Sequence, residues 1–508
     1  MSRTSNTIRN MKFAVLGQIL GILFAFFARR VFVLFFSSEY LGLNGLFSNI
    51  LSILSLAELG IGTAIVYNLY CPIAENNISK IKSLMLLYKR TYFAIGAAVF
   101  VSGCAITPFI QLLISEIPNI PYIRVIYLLY VCNSAASYFF TYKRSLIIAN
   151  QQGYITSIYR YGLFIILNFA QIITLILTRN FLFYLSLQVA FTLLENIMLS
   201  RKANRMYPYL LEKDISPLQP AVKAEIKKNV FAMMFHKIGG VIVMGTDSIL
   251  ISKLVGLTEV GLYSNYILIR QAVNTIIGLL FQSASASFGN LSVLESDEHK
   301  LDVFQNINFA GAWIFGFSSI CLIALYNPFI SFWLGDVYLF PMSTVFWIVA
   351  VFYITGMRAA SLTARDVMGV FWHDRYKPLF ESSINLLASY ILGTRMGVSG
   401  ILIGTVFSTM ATCFWVEPFV LYKHGFHAPV HTYFTRYGIY TSVTVAAGTI
   451  TVFLCGLVMT SGFVGFCVKL GICLIAPNMF FLACYHRTKE FMFFRGLFIN
   501  MFKQLKIK

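Results

Sequence analysis

Residues 13–36 read FAVLGQILGILFAFFARRVFVLFF, a run apolar enough to cross a bilayer that nevertheless carries Arg29 and Arg30 well inside it. About 20 apolar residues in a helix cover the roughly 30 Å hydrocarbon layer. A guanidinium near its centre costs between about 3 and more than about 10 kcal/mol, so such a residue normally faces a partner or a watery cavity and marks a pathway. The rest of the chain can be read by asking what needs two cations there.

The chain is 508 residues long, 58% hydrophobic and only 12% charged, with a mean hydropathy of +0.74. Soluble domains carry about 25% charged residues, which excludes that class and predicts an all-α polytopic membrane protein. The first apolar run has no small-residue cleavage site after it, so it reads as a retained helix and not a signal peptide. The net charge of +19 reflects Lys and Arg concentrated in cytoplasmic loops and not nucleic-acid binding. The nine cysteines show no CxxC spacing and no neighbouring His, so neither a disulfide framework nor a metal site is expected.

Apolar windows predict about fourteen transmembrane spans, near 13–36, 43–69, 92–114, 121–142, 157–178, 181–200, 230–252, 262–288, 304–327, 338–357, 378–394, 397–422, 437–458 and 463–485. With both termini cytoplasmic, the inner segments hold 30 of the 39 basic residues, the outer segments four, and the helices five: Arg29, Arg30, Lys237, Arg270 and Lys469. One miscounted helix would scramble this bias, so it supports an even number of spans. The loops are too short for a soluble catalytic domain.

The sequence also repeats itself. Residues 143–164 align without gaps on residues 359–380, matching Ser145 with Ser361, Gly153 with Gly369 and Phe164 with Phe380 at a pitch of 216. EYLGLNGLFSN from Glu39 matches EVGLYSN from Glu259 at nearly the same pitch. This predicts two parallel six-helix lobes, 1–200 and 230–424, joined by a cytoplasmic linker over 201–229. Residues 425–508 add two helices and a basic cytoplasmic tail.

Substrate sites of repeat-built transporters lie where the halves meet, so intramembrane polar residues should form facing stripes. The first span carries Gln18, Gly21, Ala25 and Arg29 on one face, and the second carries Asn49, Ser52 and Glu58. Their counterparts carry His236, Lys237 and Asp247, and Gln271 and Asn274 beside Arg270. Arg29, Arg30, Arg270 and Lys237 are the candidate anion-binding residues, because guanidinium matches phosphate oxygens bidentately. Asn49, Ser52, Gln271 and Asn274 are candidate cavity-lining residues. Glu58, Asp247 and His236 are candidates for holding a coupling H+ or Na+, with Arg30 and Asp247 alternatively a structural ion pair. Small residues on these stripes also serve close helix packing. Glu195 and Glu417 are expected to reach water. The inner segments around 72–92 and 490–508 are expected to lie as amphipathic helices on membrane lipid.

Four stretches, Glu39–Tyr70, Gly245–Tyr266, Ser285–Leu291 and Arg365–Tyr390, together resemble bacterial polysaccharide-repeat-unit flippases, the Wzx-like branch of the multidrug, oligosaccharidyl-lipid and polysaccharide exporter superfamily. The resemblance implies a two-lobed V-shaped bundle in the bacterial cytoplasmic membrane. It implies transport of undecaprenyl-diphosphate-linked oligosaccharide by alternating access, without a cofactor, and Arg29 and Arg30 stand where relatives bind substrate. The helix count also resembles the lipid II flippases, in which the last two helices help hold the lipid tail. A docking role with glycan-assembly enzymes is open. The alternatives are an ion-coupled multidrug exporter of the same superfamily and an integral-membrane polymerase or ligase. The second needs a sizeable outer loop with catalytic groups; His373, Asp374 and Arg375 form no such site on an inner loop and read as a hinge or a surface where a headgroup enters.

The charge bias predicts that a fluorescent-protein fusion after Lys228 is bright and an alkaline phosphatase fusion after Arg395 is active. The reverse pattern would overturn the orientation.

Overall fold

The computed structural model describes residues 3–58, 61–115, 120–212, 245–294, 296–370, 373–460 and 462–506, with single positions between 214 and 226. His236, Lys237 and most of the window 230–252 lie outside the described residues. All regular structure among the described residues is helical, as a bilayer requires of a chain that must satisfy its own backbone polar groups. Two compact units, Met1–Gly261 and Leu262–Lys508, divide the chain.

Unit 1 comprises α1 (Arg3–Phe35), α2 (Ser38–Leu54), α3 (Ile61–Ala74), α4 (Ile78–Ile106), α5 (Ile123–Tyr138), α6 (Tyr142–Ala149), α7 (Gly153–Thr178) and α8 (Phe181–Met206). It closes with α9, helical over 245–254, and the start of α10 (Leu257–Leu294). Helix α1 packs along α7, α7 along α8, and α8 along α5, which also meets α4. A Cβ at Gly17 would fall 2.0 Å from the Tyr161 ring of α7, so part of the small-residue stripe of α1 serves packing. Its opposite side exposes Leu16, Leu23, Phe27 and Leu34, a face suited to lipid.

The segment Ile78–Arg90 is not a separate surface helix. It forms the first turns of α4, and its Ile81, Leu84, Met85 and Tyr88 are buried against Leu69, Tyr142 and Leu146. Protein, not lipid, covers this apolar face. Tyr207, Tyr209, Leu210 and Leu218 of the expected linker pack on the same cluster.

Unit 2 continues α10 and adds α11 (Asp297–Trp333), α12 (Met342–Met357), α13 (Ala359–Met368), α14 (Lys377–Ala411), α15 (Cys413–Leu421), α16 (His431–Gly456), α17 (Gly462–Tyr485) and α18 (Lys489–Lys506). Helix α11 is the hub and packs on α12, α13, α16 and α17. Helix α18 is anchored through ring contacts of Phe494 with Phe309 and of Phe491 with Trp313.

Helix α14 turns back on itself. Residues 12 apart in a straight helix are about 18 Å distant, yet the Ser389 hydroxyl donates to the Ile401 carbonyl at 3.0 Å and Asn385 donates to Thr405 at 3.0 Å. The reversal is at Gly397, with φ 59° and ψ −138°, a conformation open to glycine alone. The windows 378–394 and 397–422 are thus two antiparallel limbs.

Nine helices among the described residues are long and apolar enough to cross a membrane, or ten if the bent pair α5 and α6 counts as one span. The difference from fourteen windows has local causes. The two limbs of α14 run together within one of the nine. The window 43–69 is interrupted by a 3₁₀ turn at Ser55–Glu58, 230–252 lies mostly outside the described residues, and 262–288, helical within α10 and carrying Arg270, is not among the nine.

Charges at one end of unit 2 form a buried network. Arg358, at the start of α13, grips Glu417 of α15 with two nitrogens at 2.6 and 3.0 Å and reaches Glu381 at 3.4 Å. Lys377 also pairs with Glu417, and lies 3.5 Å from Asp374, which accepts from Arg365 at 2.9 Å. The Glu417 side chain is 1% exposed, which corrects the expectation that it reaches water: two cations and the α13–α15 packing enclose it. Asp374 is likewise an internal partner of the network. Unit 1 has a simpler counterpart, Arg144 of α6 paired with Glu195 of α8 at 2.8 Å.

Removing one member of a buried pair strands the others, at about 3–5 kcal/mol, whereas a partly exposed pair contributes about 0–1 kcal/mol. Glu417→Gln is therefore expected to lower the midpoint of heat inactivation in detergent clearly, and Glu212→Gln, at the exposed Lys82 pair, to leave it nearly unmoved. Equal midpoints for the two variants would show that the network does not hold unit 2 together.

Candidate functional site

The chain's intramembrane cations and amides fall into separate local settings. Arg29 sits on α1, one turn before Phe32, and is half-buried. Its guanidinium lies within electrostatic range of the hydroxyls of Tyr130 on α5 and Tyr184 on α8. Tyr130 is buried; on the α8 side Phe32 of α1 meets Phe181 and Tyr184 edge-on at centroid distances of 5.9 and 5.6 Å, and Phe181 and Tyr184 stack on each other at 5.8 Å. The aromatic wall packs against the helix, and the phenols near the cation are polar groups without formal charge. Arg30 is also half-buried on α1, about 100° round the helix from Arg29.

Glu58 occupies the 3₁₀ turn that separates α2 from α3. The Tyr92 hydroxyl of α4 donates to it at 3.3 Å. A carboxylate at such a break is reached by a side-chain donor from another helix, an arrangement whose hydrogen bonding changes on protonation. Asn49 of α2 donates to its own Gly45 carbonyl and to Ser248 of α9, both at 2.9 Å. Asp247, adjacent to Ser248, is buried. The structure thus brings Asn49 and Asp247 to one α2–α9 contact, while Ser52 is exposed one turn along.

A second close approach joins α2 to the first turns of α10, and each helix has a glycine there. A Cβ at Gly42 would lie 2.0 Å from the Leu257 carbonyl, and one at Gly261 2.2 Å from the Ser38 carbonyl. Gly261 belongs to the EVGLYSN copy of the repeat and Gly42 to the EYLGLNG copy, so the repeated motif meets itself at this crossing.

In unit 2, Arg270 is half-buried on α10, within electrostatic range of Tyr326 on α11. The adjoining stripe Gln271, Asn274, Gly278 and Gln282 is exposed throughout, and Gly278 borders open space. Amides presented this way suit a wet cavity and not hydrocarbon. No group of three metal-ligating side chains occurs among the described residues.

Two features escaped the sequence reading. The phenols of Tyr130 and Tyr184 were masked by the overall abundance of aromatic residues. An apolar groove of about 680 Å³ runs between α11, α12 and α16, lined by residues such as Ile320, Phe346, Tyr353, Val445 and Val452. Its sequence signal is the run Tyr437, Thr441, Thr444, Gly448 and Val452 at helical spacing on α16.

No protein-family description and no curated protein matches this sequence. Solved structures do. The lipid II flippase MurJ in an inward closed conformation matches with a TM-score of 0.66 at 14% identity, covering 94% of this chain and 99% of MurJ. An inward-facing multidrug resistance MATE family transporter of the MOP superfamily matches at 0.63 and 15% identity, covering 77% of this chain and 91% of its own. A MATE transporter of Vibrio cholerae matches at 0.53 and 12% identity, over 85% and 99% of the two chains. The chain is a multi-pass helical membrane protein with the fold shared by MATE transporters and the MurJ flippase.

Proposed function

We propose that this protein is a flippase for a lipid-linked anionic oligosaccharide, undecaprenyl-diphosphate-linked in a bacterial cytoplasmic membrane, working by alternating access with both termini in the cytoplasm. The observation that carries the reading is Arg29: a guanidinium within a membrane span, set against an aromatic wall and two phenol oxygens. Its fork of donors suits a diphosphate. Arg30 and Arg270 are proposed to share the anion with it, and Lys237 to add a further cation. The apolar groove on α11, α12 and α16 suits a polyprenyl tail, since apolar walls with few polar groups favour such a ligand. Asn49, Ser52, Gln271 and Asn274 offer donors and acceptors for sugar hydroxyls.

The fold shared with multidrug exporters supports a second reading, export of small amphiphiles coupled to an ion. Glu58 beside Tyr92 is the observation that favours it, because protonation of that carboxylate would alter a contact between helices. Glu58, Asp247 and His236 are proposed as coupling groups under either reading. A cationic interior favours anionic cargo over the lipophilic cations that acidic walls would select.

Replacing Arg29 by Ala, in cells that insert the variant at wild-type levels, should reduce outer-leaflet lipid-linked glycan at least about tenfold, the factor of one charge-assisted hydrogen bond. Arg29→Lys should restore part of it. Unaltered glycan display in Arg29→Ala, or unchanged display alongside lost drug resistance, would overturn the flippase reading.

A further inference from the structure

Of the five basic residues that the sequence places within spans, Lys469 is the one the transport reading leaves unused. It lies seven residues into α17, which begins at Gly462, so its Cα is about 10 Å below the helix end. A lysine stem reaches back toward the interface from that depth. Lys469 is half-buried, and among the described residues it forms no ion pair. It opens into a polar-walled cavity of about 270 Å³ between the last turns of α11 and the first turns of α17. Thr460 adds a hydroxyl to this cavity, while Ser331 on the opposite wall donates its own to Asp336.

The cavity is built into the fold. A Cβ at Gly465 would lie 1.9 Å from the Thr460 carbonyl, so glycine there lets residues 458–460 lie over the start of α17. Gly462, with φ 72°, makes the turn. The free amides of the first turn of α17 add partial positive charge at the same end. Ring pairs Phe332 with Phe463 and Phe329 with Phe466, at 5.3 and 5.6 Å, flank the opening. Phe332, Phe463 and Val464 are exposed there. The Lys469 cation, the Thr460 hydroxyl and the first-turn amides of α17 inside, with apolar side chains outside, match a molecule that has a negative head and hydrocarbon tails.

We infer that the α11–α17 cavity is a site for the anionic phosphodiester headgroup of a membrane lipid, with Lys469 as its counter-ion. The ligand is a bulk lipid and not the transported cargo, so the site serves to seat the α16–α17 hairpin at one leaflet surface. A free phosphate has the same head chemistry but gains nothing from the aromatic rim.

The test uses the full chain in nanodiscs of phosphatidylcholine doped with phosphatidylglycerol, with retained lipids counted by native mass spectrometry. Wild type should keep one tightly held phosphatidylglycerol that excess inorganic phosphate does not displace. Lys469→Met and Lys469→Gln should each hold it about tenfold less, the weight of one charge-assisted contact, and Lys469→Arg should keep it. The two neutral variants guard against one misfolding, and a thermal midpoint equal to wild type identifies the folded one. Undiminished phosphatidylglycerol in a folded neutral variant would overturn the site, and displacement by inorganic phosphate would overturn its assignment to a lipid.

Discussion

The expense of placing a charge in hydrocarbon constrains this molecule more than any other interaction. The chain meets it in three ways. Arg358, Lys377 and Arg365 are neutralised in place by Glu417, Glu381 and Asp374, in a network that ties α13 to α14 and α15. Arg29 lies within electrostatic range of two phenols, Tyr130 and Tyr184, which carry no formal charge to cancel its own. Lys469 reaches a cavity near a helix end. Only the first arrangement extinguishes the charge; the other two suit an incoming anion.

The two units use one structural device at different strengths. In each unit a short helix after a long span, α6 or α13, is fastened by an arginine to a glutamate on a later helix. In unit 1 the fastening is Arg144 with Glu195, and in unit 2 it grows into a multi-residue network. Unit 1 breaks the preceding span by a 43° bend between α5 and α6, while α12 and α13 continue nearly unbroken across Arg358. A half-buried single pair contributes less than an enclosed one. The same topology therefore carries one loosely fastened short helix and one firmly fastened one.

Helices were legible in the sequence because the bilayer demands long apolar runs, and most described residues of the windows are helical. The reversal at Gly397 was legible too, since Arg395 and Gly397 interrupt otherwise apolar limbs. The buried network was not. Arg358, Arg365 and Lys377 each satisfy the charge bias of a cytoplasmic loop, and only the fold shows that Asp374 and Glu417 enclose them. The stretch 78–90 carries the pattern of a surface helix, and its burial depends on Tyr142 and Leu146, which are distant in sequence. The arginine of the candidate site stood out in one dimension because charge within an apolar run is rare; Tyr130 and Tyr184 did not, because tyrosine is common throughout this chain.

Under the proposed function, transport depends on recognition of the phosphate-borne negative charge of a lipid. The most direct measurement reconstitutes the purified protein in liposomes and compares flipping of two fluorescent glycolipids that share tail and sugar. One carries a diphosphate link and the other a neutral ether link. The account predicts rapid transfer of the diphosphate lipid and transfer of the neutral one near the protein-free rate. Equal transfer of both would contradict it.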